Sequence, residues 1–357
     1  MRHFALFSSI TCLAATLTHC ASGDPGKLIN QRMTTAFDRS VELPVYFATN
    51  RVPLDLNPRC TDDYYGVRNE GSLRFGLCPV NVPMQHAIGS LDTNSSRYGD
   101  PNRYFKTGRH TELSAAKLAG QLKSSGNKEA LVFVHGFNVK FEEALLRAAQ
   151  IAYDVKFQGD VVLFTWPAGA SDSLSSVLIH QTYASNQRHA RESVALFEQF
   201  IQSPELSDKT LHVLVHSMGH QIVLPALAKA GARTSAPLIQ ELILNAPDFP
   251  GEELVKIAPQ LRRVAKRTTL YCSPGDNALV ASKRINSNYR AGLCMRIPGM
   301  DVINVNELDT STLGHGYYSG RPVLTDVYQV LLGVDVQRRL FIRRGSPNGG
   351  EDYILRR

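Results

Sequence analysis

The sequence predicts an α/β fold: a mostly parallel central sheet with helices on both faces, preceded by a two-strand N-terminal extension. Three observations carry that expectation. From Lys128 onward, short apolar runs alternate with stretches of helical length, the order that builds β-α-β units. The runs are continuous rather than polar at every second residue, as strands buried on both faces require. A chain of 357 residues with 43% hydrophobic content is also long enough to bury one sizeable core.

Taken in order, the polar stretch 24–40 reads as a linker. "LPVYFATNR" and "LRFGLCPVNVP" read as two strands, with the Pro-, Asp- and Asn-rich "VPLDLNPRCTDDYYG" a loop between them. "EALVFVHGF" is the next strand. "FEEALLRAAQIAYDVKF" places Phe141, Ala144, Leu145, Ala148 and Ala152 on one helical face, and "DVVLFTWP" is again a strand. A long polar-amphipathic helix is expected over about 172–202, able to cover a site. There follow strand "LHVLVHS", helix "MGHQIVLPALAKAG", strand "ELILNAP", helix "PGEELVKIAPQLRRVA", strand "RTTLYCSPGD" and a final helix "VLTDVYQVLL". Pro225 should kink or break the helix that follows Ser217, because it lacks an N–H and its ring crowds the preceding turn. No internal repeat or second domain is visible, so residues 41–335 are expected as one domain and 336–357 as a basic, flexible tail.

Charge supports that division. The chain carries 39 basic and 32 acidic residues, a net +7. The last stretch, "RRLFIRRGSPNGGEDYILRR", alone supplies four of those seven charges, with six Arg against Glu351 and Asp352. The rest is close to neutral, so no nucleic-acid partner is expected. Anionic lipid headgroups are the alternative contact for such a tail.

The N-terminus, "MRHFALFSSITCLAATLTHCASGDP", has a basic residue followed by an apolar run from Phe4 to Leu17, too short to span a bilayer. Residues 1–23 therefore read as a secretory signal, and the expected location is the periplasm or cell envelope. Two processing routes are open: cleavage after Ala21-Ser22-Gly23, or lipid attachment at Cys20 in "LTHC", which would anchor the protein to the membrane. With Cys12 and Cys20 set aside, Cys60, Cys78, Cys272 and Cys294 remain. Pairing Cys60 with Cys78 and Cys272 with Cys294 closes two short loops and suits an oxidising compartment; four free thiols are the alternative. No spacing resembles a zinc site, so neither metal nor cofactor is expected, and nothing in the sequence signals an oligomeric state.

The chemistry centres on "LHVLVHSMGHQIVLPAL", a strand, a sharp corner and a helix with Ser217 at the corner. A serine hydroxyl is a weak nucleophile at neutral pH. It needs a base, a group that orients the base, and donors for the oxyanion. A strand-to-helix elbow lifts the serine clear of the sheet and points a helix N-terminus at the developing charge. Here Gly219 is the second glycine of the G-x-S-x-G pattern, but Val215 stands in place of the first. Ser217 alone is thus equally readable as an ordinary turn serine. Upstream, "VFVHGFNV" offers a second oxyanion donor, so the expected pair is the backbone N–H of Phe137 and of Met218; His135 is expected to hold that loop rather than act as the base.

After Ser217 only His220 and His315 remain as bases. His220 sits one turn into the same elbow, which leaves His315, between Gly314 and Gly316 in a loop. For the acid, Asp276 in "YCSPGDNAL" follows the second strand after the elbow. Asp248 in "NAPDF" is the alternative, and Asp301 and Asp309 lie nearer His315 in the chain. Trp166, the single Trp, falls at the carboxyl end of a strand and reads either as a wall of the acyl pocket or as a core cap. Tyr317 beside His315 is a second candidate for the pocket.

With "YFATNR", "FVHGFN", "FTWPA", "VHSMG", "NAPD" and "GHGYY" in that order, the chain from about Val41 to Leu332 resembles the α/β-hydrolase superfamily. More narrowly it resembles the bacterial family Domain of Unknown Function 900. That resemblance implies the α/β-hydrolase fold and Ser217, Asp276 and His315 as a triad. It leaves the substrate open, because one fold hosts many chemistries. The expected activity is a serine hydrolase acting on a small-molecule or lipid carboxylic ester. Thioesterase, amidase and acyltransferase chemistry use the same machinery, and a non-catalytic envelope scaffold on this fold is the competing class.

Overall fold

The computed structural model describes residues 41–93, 99–170, 176–306, 308, 315–317 and 320–356. The expected signal, linker and lipidation site at Cys20, together with Asp309, lie outside the described residues. Strands β1 (Val41–Pro53) and β2 (Tyr65–Val82) form an antiparallel pair. The short strands β3 (Lys106–Thr107) and β4 (Thr111–Leu113) both add to β2, and helix α1 (Ala115–Ser124) follows, capped by the Ser114 hydroxyl. The alternating part then runs β5 (Glu129–Val134), α2 (Phe141–Asp154), β6 (Asp160–Thr165), α3 (Ser176–Ile201), β7 (Thr210–His216), α4 (His220–Arg233), β8 (Ile239–Asn245), α5 (Gly251–Val264) and β9 (Ala265–Cys272). Helix α6 (Asn277–Asn286), strand β10 (Asp301–Asn304), helix α7 (Arg321–Leu331) and strands β11 (Ile342–Arg344) and β12 (Tyr353–Leu355) complete the chain.

All twelve strands join one open sheet in the order β11-β12-β10-β9-β8-β7-β5-β6-β1-β2-β3, with β4 paired to β2. From β12 to β1 every neighbouring pair is parallel, and the pairs at the two edges, β11–β12, β1–β2, β2–β3 and β2–β4, are antiparallel. The strands are the continuous apolar runs of the sequence: β6 and β7 are buried along almost their whole length. One face packs on α1, α3, α4 and α5 through Phe164, Phe197, Phe200 and Ile222; the other packs on α2 and α7 through Phe47, Phe133, Phe141 and Val327. Truncating a buried ring such as Phe197 to Ala would cost about 3–5 kcal/mol.

Chain direction switches between β5 and β7. After β5 the chain continues to β6 on one side, whereas β7 lies on the other, so the loops leaving β5 and β7 diverge at their carboxyl ends, where open sheets of this kind place ligand sites. Pro225 does not break α4, which is continuous from His220 to Arg233. The expectation of a flexible tail is corrected: residues 342–355 hold two strands, with β12 parallel to β10 and β11 closing that edge. Leu355 is buried and the Arg296 guanidinium binds the carbonyls of Ser346, Pro347 and Glu351, so packing and hydrogen bonds fix a segment whose composition reads as solvated.

Candidate active site

Ser217 follows the last residue of β7 in a left-handed conformation, φ 49°, and opens a single 3-10 turn, Ser217–Gly219, that leads into α4. A non-glycine residue held there carries about 1–2 kcal/mol of strain, and it turns the hydroxyl out of the sheet. Two glycines make the corner fit. A Cβ on Gly219 would lie 2.6 Å from the His135 carbonyl oxygen, and a Cβ on Gly136 would lie 2.8 Å from the Ser217 Cβ. Val215 is fully buried between Val134 and Leu244 of the neighbouring strands. The close approach at this elbow is therefore supplied by Gly136 and Gly219, and the strand position two before the serine accepts a β-branched residue.

Three side chains remote in sequence meet here. The Ser217 Oγ is 2.7 Å from His315 Nε2, and His315 Nδ1 is 2.6 Å from Asp276 Oδ2. Asp276 is fully buried and caps α6, accepting the Leu279 N–H on Oδ1, while the Tyr317 hydroxyl donates to Oδ2 at 3.0 Å. The loop that carries Asp276 is itself tied down. Asn306 Oδ1 accepts from the Ser273 hydroxyl and the Gly275 N–H, and the disulfide between Cys272 and Cys294 closes just upstream. A second disulfide joins Cys60, in the loop between β1 and β2, to Cys78 near the carboxyl end of β2.

Asp248 is not the partner of His315. Its carboxylate pairs with Arg290 at 3.0 Å and accepts from Tyr183 and Ser282, all buried, while its backbone N–H donates to the Ser217 carbonyl at 3.3 Å. Asp301 begins β10, beside Thr269 of β9 and three strand positions from β7, and lies 3.7 Å from Arg339. Trp166 and Tyr317 do not line an open pocket. Trp166 is wholly buried, stacks on the His135 imidazole and donates its indole N–H to the His135 carbonyl, so it is a core residue that holds the β5 loop. Tyr317 is 1% exposed and serves Asp276.

His135 fixes its loop as expected. Nε2 meets the Thr165 hydroxyl at 2.9 Å, and burial beside the Arg51 cation drives its pKa well below the ordinary value. Two further buried histidines are also held neutral. His220 donates to the Ser217 carbonyl from Nδ1, and burial lowers its pKa to about 3. His216 donates from Nε2 to the His315 carbonyl at 3.0 Å, and burial, with the neighbouring His315 second, lowers its pKa well below the usual value.

Several residues of this site escape sequence reasoning. Arg51 is fully buried, yet among the described residues it touches no carboxylate. It donates to Thr165 Oγ1 and to the carbonyls of Gly66, Ala168 and Val139, and burial lowers its pKa to about 9. It thus stitches together the ends of β1, β2, β5 and β6. From α3, Asn186 accepts the N–H groups of Asn138 and Gly169, and Tyr183 packs against Phe137. The only trace in the sequence was the "YFATNR" stretch containing Arg51. Among the described residues, no group of three or more His, Cys, Asp or Glu side chains is placed to hold a metal, and no helix is long and apolar enough to cross a membrane.

A buried carboxylate, an imidazole and a hydroxyl in hydrogen-bonded series, at the carboxyl ends of parallel strands, are able to relay a proton and expose a nucleophile. Comparison with curated proteins finds no match. A family model described as an alpha/beta hydrolase of unknown function (DUF900) matches residues 111–334, the span from β4 to just past α7, and the chain belongs to that family.

Proposed function

We propose that the protein is an exported serine hydrolase that cleaves a carboxylic ester through an acyl-enzyme on Ser217. The observation that carries this reading is the unbroken series Ser217 Oγ, His315, Asp276, with contacts of 2.7 and 2.6 Å. In the first half-reaction His315 Nε2 takes the hydroxyl proton as Oγ attacks the ester carbonyl, and the resulting oxyanion is met by the N–H groups of Phe137 and Met218. His315 then gives that proton to the departing alcohol. In the second half-reaction, the same nitrogen takes a proton from water as the water oxygen attacks the acyl carbonyl, and returns it to Ser217 Oγ as the acid leaves. Asp276 keeps Nδ1 protonated and so leaves Nε2 free to accept; Tyr317 and the α6 N-terminus hold the carboxylate in place. Export is supported by the two disulfides, which persist in oxidising compartments.

The test is labelling with a fluorophosphonate probe, alongside hydrolysis of p-nitrophenyl esters of increasing chain length. The wild type should label and turn over an ester, and Ser217→Ala should do neither while keeping its fold. A folded wild type that fails to label, or an Ala variant that labels equally, would overturn the proposal.

A further inference from the structure

The sheet edge made by the last residues carries an exposed apolar tip inside a ring of cations. Leu340 and Phe341 are 52% and 53% exposed. Phe341 also sits in the left-handed region at φ 67°, a rare state for a bulky residue. Its strain is not offset by burial of the ring, which the conformation instead leaves in solvent, and an outlier of this kind is a pointer to function. Arg338, Arg343 and Arg344 lie within three residues of Phe341, and the Arg356 N–H donates to the Phe341 carbonyl. All four arginines are exposed, and among the described residues none has an ion-pair partner.

Topology puts this tip at the catalytic end of the sheet. Strand β12 is parallel to β10 and β9, and Ile342 pairs with Leu355 at the carboxyl end of β12. Ser217 and Asp276 lie at the same end, five strand positions from β11 to β7, or about 24 Å. On the far flank, Leu54 and Leu56 follow the carboxyl end of β1 and are 54% and 99% exposed. Ile179, in the first turn of α3, is 51% exposed at that end too. Exposed large apolar side chains thus flank the site on both sides, and the cations gather on one of those flanks.

We propose that the carboxyl end of the sheet docks onto an anionic phospholipid bilayer, with Leu340 and Phe341 entering the headgroup layer and Arg338, Arg343, Arg344 and Arg356 meeting lipid phosphates. An apolar tip ringed by arginine is the combination an anionic interface binds: partial burial of the ring supplies the hydrophobic share, and each arginine near the surface adds an electrostatic one. Docking in this orientation would turn the end of the sheet that carries Ser217 toward the lipid. It does not depend on the hydrolase reading.

The test is co-sedimentation of the full chain with phosphatidylcholine vesicles that contain phosphatidylglycerol, and with pure phosphatidylcholine vesicles, at low and high salt. The wild type should bind the anionic vesicles, bind the neutral ones weakly, and lose affinity as salt rises. Arg343→Gln and Arg356→Gln should each weaken partitioning about fivefold, and Phe341→Ser about tenfold. The N-terminal apolar stretch is common to every protein compared, so these differences report on the edge alone. Circular dichroism and a urea midpoint of each variant check that it is folded, and Ser217→Ala should bind vesicles like the wild type. If the variants bind as the wild type does, or if neutral vesicles bind equally, the proposal fails, and the arginines serve only to keep an edge strand from pairing. If Phe341→Ser instead dissociates a dimer and leaves vesicle binding unchanged, the face joins two copies and the proposal again fails. Loss of labelling in the wild type with intact vesicle binding would sink the hydrolase reading alone.

Discussion

Asn186 offers the sharpest test of how the loop proposed to meet the oxyanion is positioned. Its side chain, 1% exposed, accepts the Asn138 and Gly169 N–H groups on Oδ1 and donates to the Gly169 carbonyl from Nδ2, each at 3.1 Å. Both loops it joins are strained: Asn138 has φ 58°, and Gly169 has φ 125°, which only glycine adopts readily. Replacing Asn186 with Ala removes three buried hydrogen bonds, about 3 kcal/mol of stability at ~1 kcal/mol each. It also frees Asn138, the neighbour of Phe137. Loss of one oxyanion donor lowers kcat by about 10²–10³, and the ground-state fit of the substrate should change little. With an ester the wild type cleaves, Asn186→Ala should therefore lower kcat about a hundredfold at nearly constant KM. Asn186→Asp, which keeps the accepting oxygen, should retain more of kcat than the Ala variant. A urea titration would give the stability loss in parallel. If stability falls by the expected amount and kcat does not, the loop is set by its own chain and the reasoning is wrong.

Asp276→Asn should lower kcat about 10⁴-fold through the wrong imidazole tautomer. Asp248→Asn, which strands the buried Arg290 cation, should instead cost about 3–5 kcal/mol of stability and leave the folded protein active; the opposite ranking would make Asp248 the acid. A pH series tests the buried histidines. His220 is neutral when folded down to about pH 3 but titrates near 6.5 when unfolded. It is therefore indifferent above pH ~6.5, and below it the unfolded state binds a proton that the native state refuses, so stability falls. By pH ~4.5 that amounts to about 3 kcal/mol. Buried Asp326 and Glu241, whose pKa values burial raises, pull the other way, so the measurement is the difference between wild type and His220→Gln in denaturant midpoint against pH; parallel curves would contradict it. Reducing the Cys272–Cys294 bridge, with a separation of 22 residues, should cost about 3 kcal/mol by chain entropy, read from urea curves of Cys272→Ala/Cys294→Ala against wild type.

The chemistry-bearing residues were legible because their signals are local or ordered. "VHSMG" marks a corner between two apolar runs, His315 is the last histidine in the chain, and Asp276 follows a strand within the turn that its own carboxylate caps. The continuous runs gave β5 to β9 for the same reason. What was not legible depends on contacts between distant segments. Tyr183 reaches Asp248 across 65 residues and Asn186 reaches Asn138 across 48, and neither belongs to a motif. His216 and Arg51 look like ordinary polar neighbours of their motifs until the fold buries them. Strands β11 and β12 have three residues each, too short for a period to show. Arginine also dominates their surroundings, and on composition alone that outweighs the few apolar residues that pack.

The strands at the C-terminal edge have a consequence for how the molecule is assembled. Strand β10 takes one neighbour, β9, from earlier in the chain and the other, β12, from residues 353–355. While those residues are still being synthesised, β10 is an open edge with unpaired backbone groups, beside the strand that leads into the Asp276 loop. A stop codon or proteolytic cut after about residue 340 leaves the triad in the polypeptide but removes this cover. The product is expected to aggregate through β10 although Ser217, Asp276 and His315 are all still present.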